Sequence, residues 1–170
     1  LVVWGEGSLD PGAAADPAVR TAVQRVVAAV GAPTIVGAVI DDPDGSQHTS
    51  VLQLDATGAP VARYDKTHLV PFGEYVPLRA VLFFAAPLVQ NVSDFAPGSR
   101  VVTLPFEGGH RLSTAICYEV VYPSLIRQAV EGGSQLLTTI TNDGWYGRSS
   151  APFQHFDMAA MRAIEQGRYL

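Results

Sequence analysis

An α/β layered domain, with strand pairs set between helices, is the fold class this sequence predicts, and three observations predict it. Apolar runs of strand length recur at "LVVW", "PTIVGAVI", "RLSTAI" and "SQLLTTIT". Helix-periodic segments opened by proline and closed by glycine lie between them. With 48% apolar and 16% charged residues, the 170-residue chain can bury one sizeable core and is too apolar for a disordered segment.

The elements follow in order. "LVVW" reads as a short buried strand, and the Gly/Ser/Asp/Pro stretch after it as a loop. Asp16-Pro17 starts a helix, with the aspartate as cap and proline in the first turn. Val19, Ala22, Val23, Val26, Val27 and Val30 repeat at helical spacing, and Gly31 stops the helix. "PTIVGAVI" is a strand covered on both faces. "DDPDG" turns the chain into "HTSVLQLD", and "TGAP" turns it again into "VARYD". From Lys66 to Arg100 the pattern is irregular and rich in proline and aromatics, apart from a short helix expected near Leu78 to Ala85. "VVTLPF", "EGGH" and "RLSTAIC" form a hairpin, and Pro123 opens a helix with Leu125, Ile126, Ala129 and Val130 on one face. After the strand "SQLLTTIT" and the loop "NDGWYGRSSAP", Phe156, Ala159, Ala160, Ala163 and Ile164 mark a last helix.

Bulk properties exclude several function classes. The net charge of −5 carries no basic cluster, so nucleic acid is not the expected partner. No His/Cys/Asp cluster has metal-ligand spacing and no glycine-rich phosphate loop is present, so neither metal nor cofactor is expected. The densest apolar run, "VLFFAAPLV", is about half the roughly 18 residues a membrane span requires and contains Pro87. The chain opens directly on a strand and stops at "GRYL", so it reads as a piece of a longer protein.

The chemistry is concentrated at strand ends. Glu6 follows the first strand, Lys66 follows "VARYD", and Cys117, the single cysteine, follows "RLSTAI". Ligands of open α/β sheets bind outside the carboxyl ends of strands, where three such groups can converge. A carboxylate can take the proton of a thiol, and an ammonium can stabilise the oxyanion of acyl transfer. The helix from Pro123 would favour a thiolate if its N-terminus pointed back at Cys117. Plainer readings stand beside these: a buried cysteine packing as a small hydrophobe, a solvated lysine and a loop carboxylate. His48, His68, His110 and His155 are further candidate partners for the thiol, although no flanking sequence supports a Cys/His pair.

"VVWGE", "YDKTHLVPFGEYVPL", "ICYEVVYPSLIR" and "ITNDGWYGRSSAPFQHFDMAAMRAIEQGRYL" resemble the nitrilase, or carbon–nitrogen hydrolase, superfamily. Within it they are most similar to the catalytic domain of bacterial apolipoprotein N-acyltransferases. The resemblance covers nearly the whole chain. It implies a nitrilase-like α-β-β-α sandwich, here partial, without the first strand–helix unit and the last strands. It implies a catalytic Glu6-Lys66-Cys117 triad, with Glu74 as an auxiliary acid near the lysine. Tyr118 and Glu119 would shape the pocket beside the nucleophile, and the aromatic loops carrying Phe72, Tyr75, Phe83, Phe84, Trp145 and Tyr146 would face acyl chains. The implied reaction moves a fatty acyl chain from a membrane phospholipid, through a cysteine thioester, to the amine of an N-terminal diacylglyceryl-cysteine of an apolipoprotein. The implied location is the periplasmic side of the bacterial inner membrane, reached through spans outside this chain. Gly5 stands where the family usually has proline, which leaves the aim of Glu6 freer.

Two other readings share these residues: a soluble amidase using the same triad with water as acceptor, and a non-catalytic domain that keeps the fold. The long segment Val70 to Arg100 separates the first from the acyltransferase reading, because its apolar stretch, Pro77 to Phe95, is expected to form a lid that touches lipid and so suits a bilayer substrate.

Overall fold

The computed structural model of the protein describes residues 1–77 and 94–170. The helix expected near Leu78 to Ala85 and most of the expected lid lie outside the described residues.

Two sheets form the centre. In the first, β1 (Val2–Val3), β2 (Thr34–Asp41), β3 (Gln47–Leu54) and β4 (Pro60–Asp65) lie side by side in that order. β1 is parallel to β2, and β2, β3 and β4 are antiparallel neighbours. In the second, β6 (Arg111–Ile116) lies between β5 (Leu104–Pro105) and β7 (Leu136–Ile140), antiparallel to β5 and parallel to β7. The expected strand "VVTLPF" pairs only at Leu104 and Pro105. Parallel neighbours require a crossover, and each parallel pair has a helical one. α1 (Pro11–Ala15) and α2 (Pro17–Val30) connect β1 to β2, and α3 (Pro123–Glu131) connects β6 to β7. α4 (Ala151–Gln166) closes the order and ends at Gly167 in the left-handed conformation, φ 58°.

Side-chain alternation along the strands sorts residues into three cores. Ile35, Val51 and Tyr64 from the first sheet meet Leu104, Leu112, Ile116 and Ile140 from the second. On the outer face of the first sheet, Val36, Ala38 and Leu54 pack with Val27 of α2 and with Ala13 and Ala14 of α1. On the outer face of the second, Ala115 and Leu137 pack with Leu125, Ile126 and Ala129 of α3 and Ala159 of α4. The layers are therefore helix, sheet, sheet, helix.

The capping signals act as the sequence predicts at Asp16, whose carboxylate accepts from the Ala18 N–H at 2.7 Å. The same Asp-Pro device at Asp10-Pro11 makes α1, which the sequence reads as loop; Asp10 accepts from Ala13 N–H at 2.7 Å. Four residues of glycine and alanine after a proline carry no apolar period, so only the cap announces this helix. α4 departs from expectation in its rotation. It buries His155, Ala159 and Arg162, while Phe156 and Ile164 are each 73% exposed. Two polar anchors set that rotation: His155 reaches the Cys117 carbonyl at 3.1 Å, and Arg162 donates to the Val121 carbonyl at 2.9 Å.

Gly37 of β2 lets the chain after β1 pass directly over the sheet. A Cβ there would collide with the Gly5 carbonyl oxygen and stand 2.9 Å from the Glu6 Cα. Gly37→Ala is therefore expected to displace the backbone carrying Glu6 and to cost about 1–3 kcal/mol of stability. Thermal unfolding checks this, and an unchanged melting temperature would show that the segment has room to move.

Candidate active site

β1, β4, β6 and β7 deliver their following residues to one end of the sandwich. Glu6, Lys66 and Cys117 meet there, and Glu74 joins them from the loop after β4. Lys66 is 1% exposed, and its Nζ donates to Glu74 Oε1 at 2.7 Å and lies 3.7 Å from Glu6 Oε1. Glu74 is itself held, its Oε2 accepting from the Val70 N–H at 2.7 Å. Glu6 Oε2 accepts from the Asn142 N–H at 2.9 Å, and the neighbouring Cys117 thiol favours the ionised carboxylate. This anchorage from the second sheet aims Glu6 even though Gly5 precedes it. The lysine is equally constrained: the Gly98 N–H donates to the Lys66 carbonyl at 2.7 Å.

Burial and charge tune the three groups together. Burial pushes the Glu6 carboxyl above its ordinary value, against the opposing pull of Lys66. Burial also pushes the Cys117 thiol up, and the Glu6 charge adds to this while Lys66 offsets part of it. The thiol thus rests protonated beside a carboxylate with raised affinity for its proton. For Lys66, burial disfavours the ammonium, but the charges of Glu74 and Glu6 outweigh it and the lysine is held above its ordinary value. It stays a cation and does not serve as a base.

Cys117 adopts φ 52°, a left-handed conformation that is strained for a residue with a Cβ. It opens a 3-10 turn, Cys117–Val121, that stands between β6 and α3. The backbone N–H that favours the thiolate is therefore that of Tyr118 in this turn, and not the N-terminus of α3 proposed from the sequence. Thr141, at the end of β7, also favours the thiolate.

Glu119 does not line the pocket. It is 0% exposed, and its carboxylate accepts from Tyr64 Oη at 2.8 Å, the Thr67 N–H at 2.7 Å, the His68 N–H at 3.1 Å and the Ile116 N–H at 2.9 Å. Burial and this neighbouring charge hold the Tyr64 phenol far above its ordinary value. Glu119 thereby ties the residues after Lys66 to the residue before Cys117. Tyr118 is 36% exposed, with its ring against those of Tyr122 and His155. Tyr146 lays its ring edge-on to His155, and burial and the neighbouring Cys117 push its phenol up. Trp145 is 84% exposed and sits in the solvent-facing part of the same loop. Phe72 is 57% exposed; Phe83 and Phe84 lie outside the described residues.

Residues the sequence does not single out complete the arrangement. Thr141, Asn142 and Asp143 are consecutive at the end of β7, and each holds something different: the sulfur, Glu6, and His155, whose Nδ1 is 3.0 Å from Asp143 Oδ1. The available signal was their position, a short polar run directly after a strand's carboxyl end. His155 touches the Cys117 carbonyl and not its thiol, so the Cys/His pair is not formed.

A thiol, an ammonium and two carboxylates gathered at one end of an α-β-β-α sandwich describe the cysteine-bearing class of two-sheet α/β proteins. The family model described as carbon-nitrogen hydrolase matches residues 12–170, and the chain belongs to that family. It is 38% identical over 168 residues to the apolipoprotein N-acyltransferase of Geobacter metallireducens, a match covering 97% of this chain and 32% of that protein. To the apolipoprotein N-acyltransferase of Pseudomonas syringae pv. tomato it is 37% identical over 176 residues, covering 100% of this chain and 34% of that one. The chain thus spans about a third of the length of these relatives. Among solved structures, an amidase from Nesterenkonia sp. superposes with a TM-score of 0.63 at 22% identity, over 92% of this chain and 51% of the other. That likeness is one of fold.

Removing the Glu119 carboxylate strands the buried Tyr64 hydroxyl and Ile116 N–H and the part-buried Thr67 hydroxyl, Thr67 N–H and His68 N–H. Glu119→Ala is expected to destabilise the protein by more than about 3 kcal/mol, since each unsatisfied buried donor costs about 1–3 kcal/mol. Urea denaturation measures this, and native-like stability would mean that solvent replaces the carboxylate.

Proposed function

We propose that this chain is the catalytic domain of an apolipoprotein N-acyltransferase. It would move a fatty acyl chain from a membrane phospholipid to the amine of an N-terminal diacylglyceryl-cysteine. The convergence of Glu6, Lys66 and Cys117 carries the chemical part of this reading. Identity of 37–38% to proteins of that name, against 22% to the amidase, supports the choice of reaction. Among the described residues no helix is long and apolar enough to cross a membrane. The reading places the domain on the periplasmic side of the bacterial inner membrane, with contact to the bilayer through segments outside this chain.

The steps follow from the groups present. Glu6 accepts the Cys117 thiol proton as the sulfur attacks the ester carbonyl, and an S–C bond forms. The electron pair displaced onto the carbonyl oxygen is held by the Lys66 ammonium and the Tyr118 N–H. The C–O bond then breaks, and the lysophospholipid alkoxide leaves with the proton from Glu6. In the second half, the acceptor amine attacks the thioester and gives a proton to Glu6. The C–S bond breaks, and that proton returns to the sulfur. Glu74 keeps Lys66 charged and in place throughout. A hydrolase reading differs only in the final acceptor, water, and the fold likeness to an amidase keeps it as the second reading.

Intact-mass measurement of the full-length protein with phospholipid vesicles should show an acyl adduct that hydroxylamine removes. Cys117→Ala should abolish it, and Lys66→Ala should slow its formation by about 10²–10³, as for loss of an oxyanion donor. An adduct that persists in Cys117→Ala would end the assignment. Product analysis with an amine acceptor then separates transfer from hydrolysis.

The rate should also depend on pH in a particular direction. Glu6 must be ionised to accept a proton, and its carboxyl titrates above the ordinary 4.5, so acylation should fall as pH drops through that raised value. The like charge of Glu74 contributes to the shift. Glu74→Gln should move the acid limb of the rate profile to lower pH, whatever its plateau height. A limb that stays in place or moves up would assign it to another group.

A further inference from the structure

One buried histidine has no role in the steps above and yet grips the residue on which they turn. His155 is 6% exposed on α4. Its Nε2 lies 3.1 Å from the carbonyl oxygen of Cys117, which can only accept, so the ring donates there. On its other side Nδ1 lies 3.0 Å from Asp143 Oδ1, and the same oxygen accepts from Thr141 Oγ1 at 2.7 Å. Thr141 also neighbours the Cys117 sulfur and favours its thiolate form. Asp143 thus links Thr141, beside the sulfur, to His155, which holds the carbonyl of the same cysteine. The rings of Tyr118 and Tyr146 flank the imidazole, at centroid distances of 6.5 Å and 6.2 Å.

The consequence lies in the peptide that follows Cys117. A peptide unit is planar, and in the trans form its C=O and N–H point in opposite directions. No cis peptide occurs among the described residues. Holding the Cys117 carbonyl on the His155 side therefore points the Tyr118 N–H the opposite way, and this N–H favours the thiolate form of the sulfur. When a carbon becomes bonded to that sulfur, the oxyanion on the carbon forms beside the same N–H. Donation to the carbonyl also polarises the peptide and strengthens its N–H as a donor. The grip has a conformational task as well. Cys117 sits at φ 52°, and a strained conformation persists only where its surroundings determine it.

We propose that His155, braced by Asp143, is a positioning residue that aims the Tyr118 N–H at the oxyanion formed during acylation of Cys117. This rests on the reading of Cys117 as the acylated nucleophile. Helix α4 then serves the site from behind: its rotation, which leaves Phe156 and Ile164 in solvent, is the one that brings His155 to the elbow.

Two soluble probes on the full-length protein separate the role from general support. Acylation by p-nitrophenyl butyrate passes through an oxyanion, whereas alkylation by iodoacetamide requires only the sulfur. In His155→Ala, acylation should fall about tenfold to a hundredfold, the scale of a misplaced or lost oxyanion donor, while alkylation stays near the wild-type rate. His155→Gln, which keeps an N–H for the carbonyl, should recover most of the acylation rate. Unchanged acylation in His155→Ala overturns the proposal, as does a loss shared equally by both probes or a His155→Gln no better than His155→Ala. If His155→Ala does not fold, Asp143→Ala, on a half-buried loop, should give the same split at smaller size, and an unsplit result there overturns the proposal too. A wild-type enzyme that p-nitrophenyl butyrate acylates and phospholipid vesicles do not would refute the acyltransferase reading and leave the role of His155 standing. Acylation of wild type by phospholipid with His155→Ala unimpaired would do the reverse, and no acylation by either ester removes both.

Discussion

The buried carboxylate of Glu119 is the contact on which the geometry of this protein depends. It takes a hydroxyl from Tyr64 in one sheet, two N–H groups from the segment just after Lys66, and an N–H from Ile116 just before Cys117. A charge removed from water is tolerated only when donors surround it, and five do so here, the Thr67 hydroxyl among them. Because these donors come from both sheets, the carboxylate locks the end of β4 to the end of β6. Lys66 and Cys117 are thereby placed relative to one another by a residue sealed from solvent.

A second constraint follows from placing ionised groups where water is scarce. Lys66 sits between two carboxylates, and the trio carries one net negative charge when all are ionised. Its near neighbour is a thiol that burial and Glu6 keep protonated. The arrangement stores the proton on sulfur and leaves a carboxylate of raised affinity ready for it, while the ammonium remains available to a negative oxygen. Each group answers to the others, so a change in one shifts the titration of the rest. Asn142, donating to Glu6 from the far sheet, holds the carboxylate that would otherwise move towards the lysine.

Much of the fold was legible in the residue pattern because it rests on local rules. Asp16 with Pro17 and Gly31 marked α2 correctly, and Pro123 with Gly132 marked α3, since capping and φ restrictions act within a few residues. The same rules hid α1, whose alanines have no apolar period. They also misassigned the faces of α4, because its rotation comes from hydrogen bonds to carbonyls of a distant turn. Layer order and the α-β-β-α sandwich came from resemblance, and the three cores bear it out.

What the sequence by itself determined is which groups stand at strand ends: Glu6, Lys66 and Cys117 each follow an apolar run, and a strand's carboxyl end is set by where its apolar period stops. What only the tertiary structure decided is which of the remaining polar residues face the site. Glu119, two residues from the thiol, turned away into the core, whereas Thr141, Asn142, Asp143 and His155 turned towards the thiol and its neighbours. The reason is that hydrogen-bond satisfaction of a buried group is a long-range property. The Tyr64, Thr67 and His68 donors that Glu119 requires, and the Cys117 carbonyl that His155 meets, lie tens of residues away along the chain and become neighbours only when the chain folds.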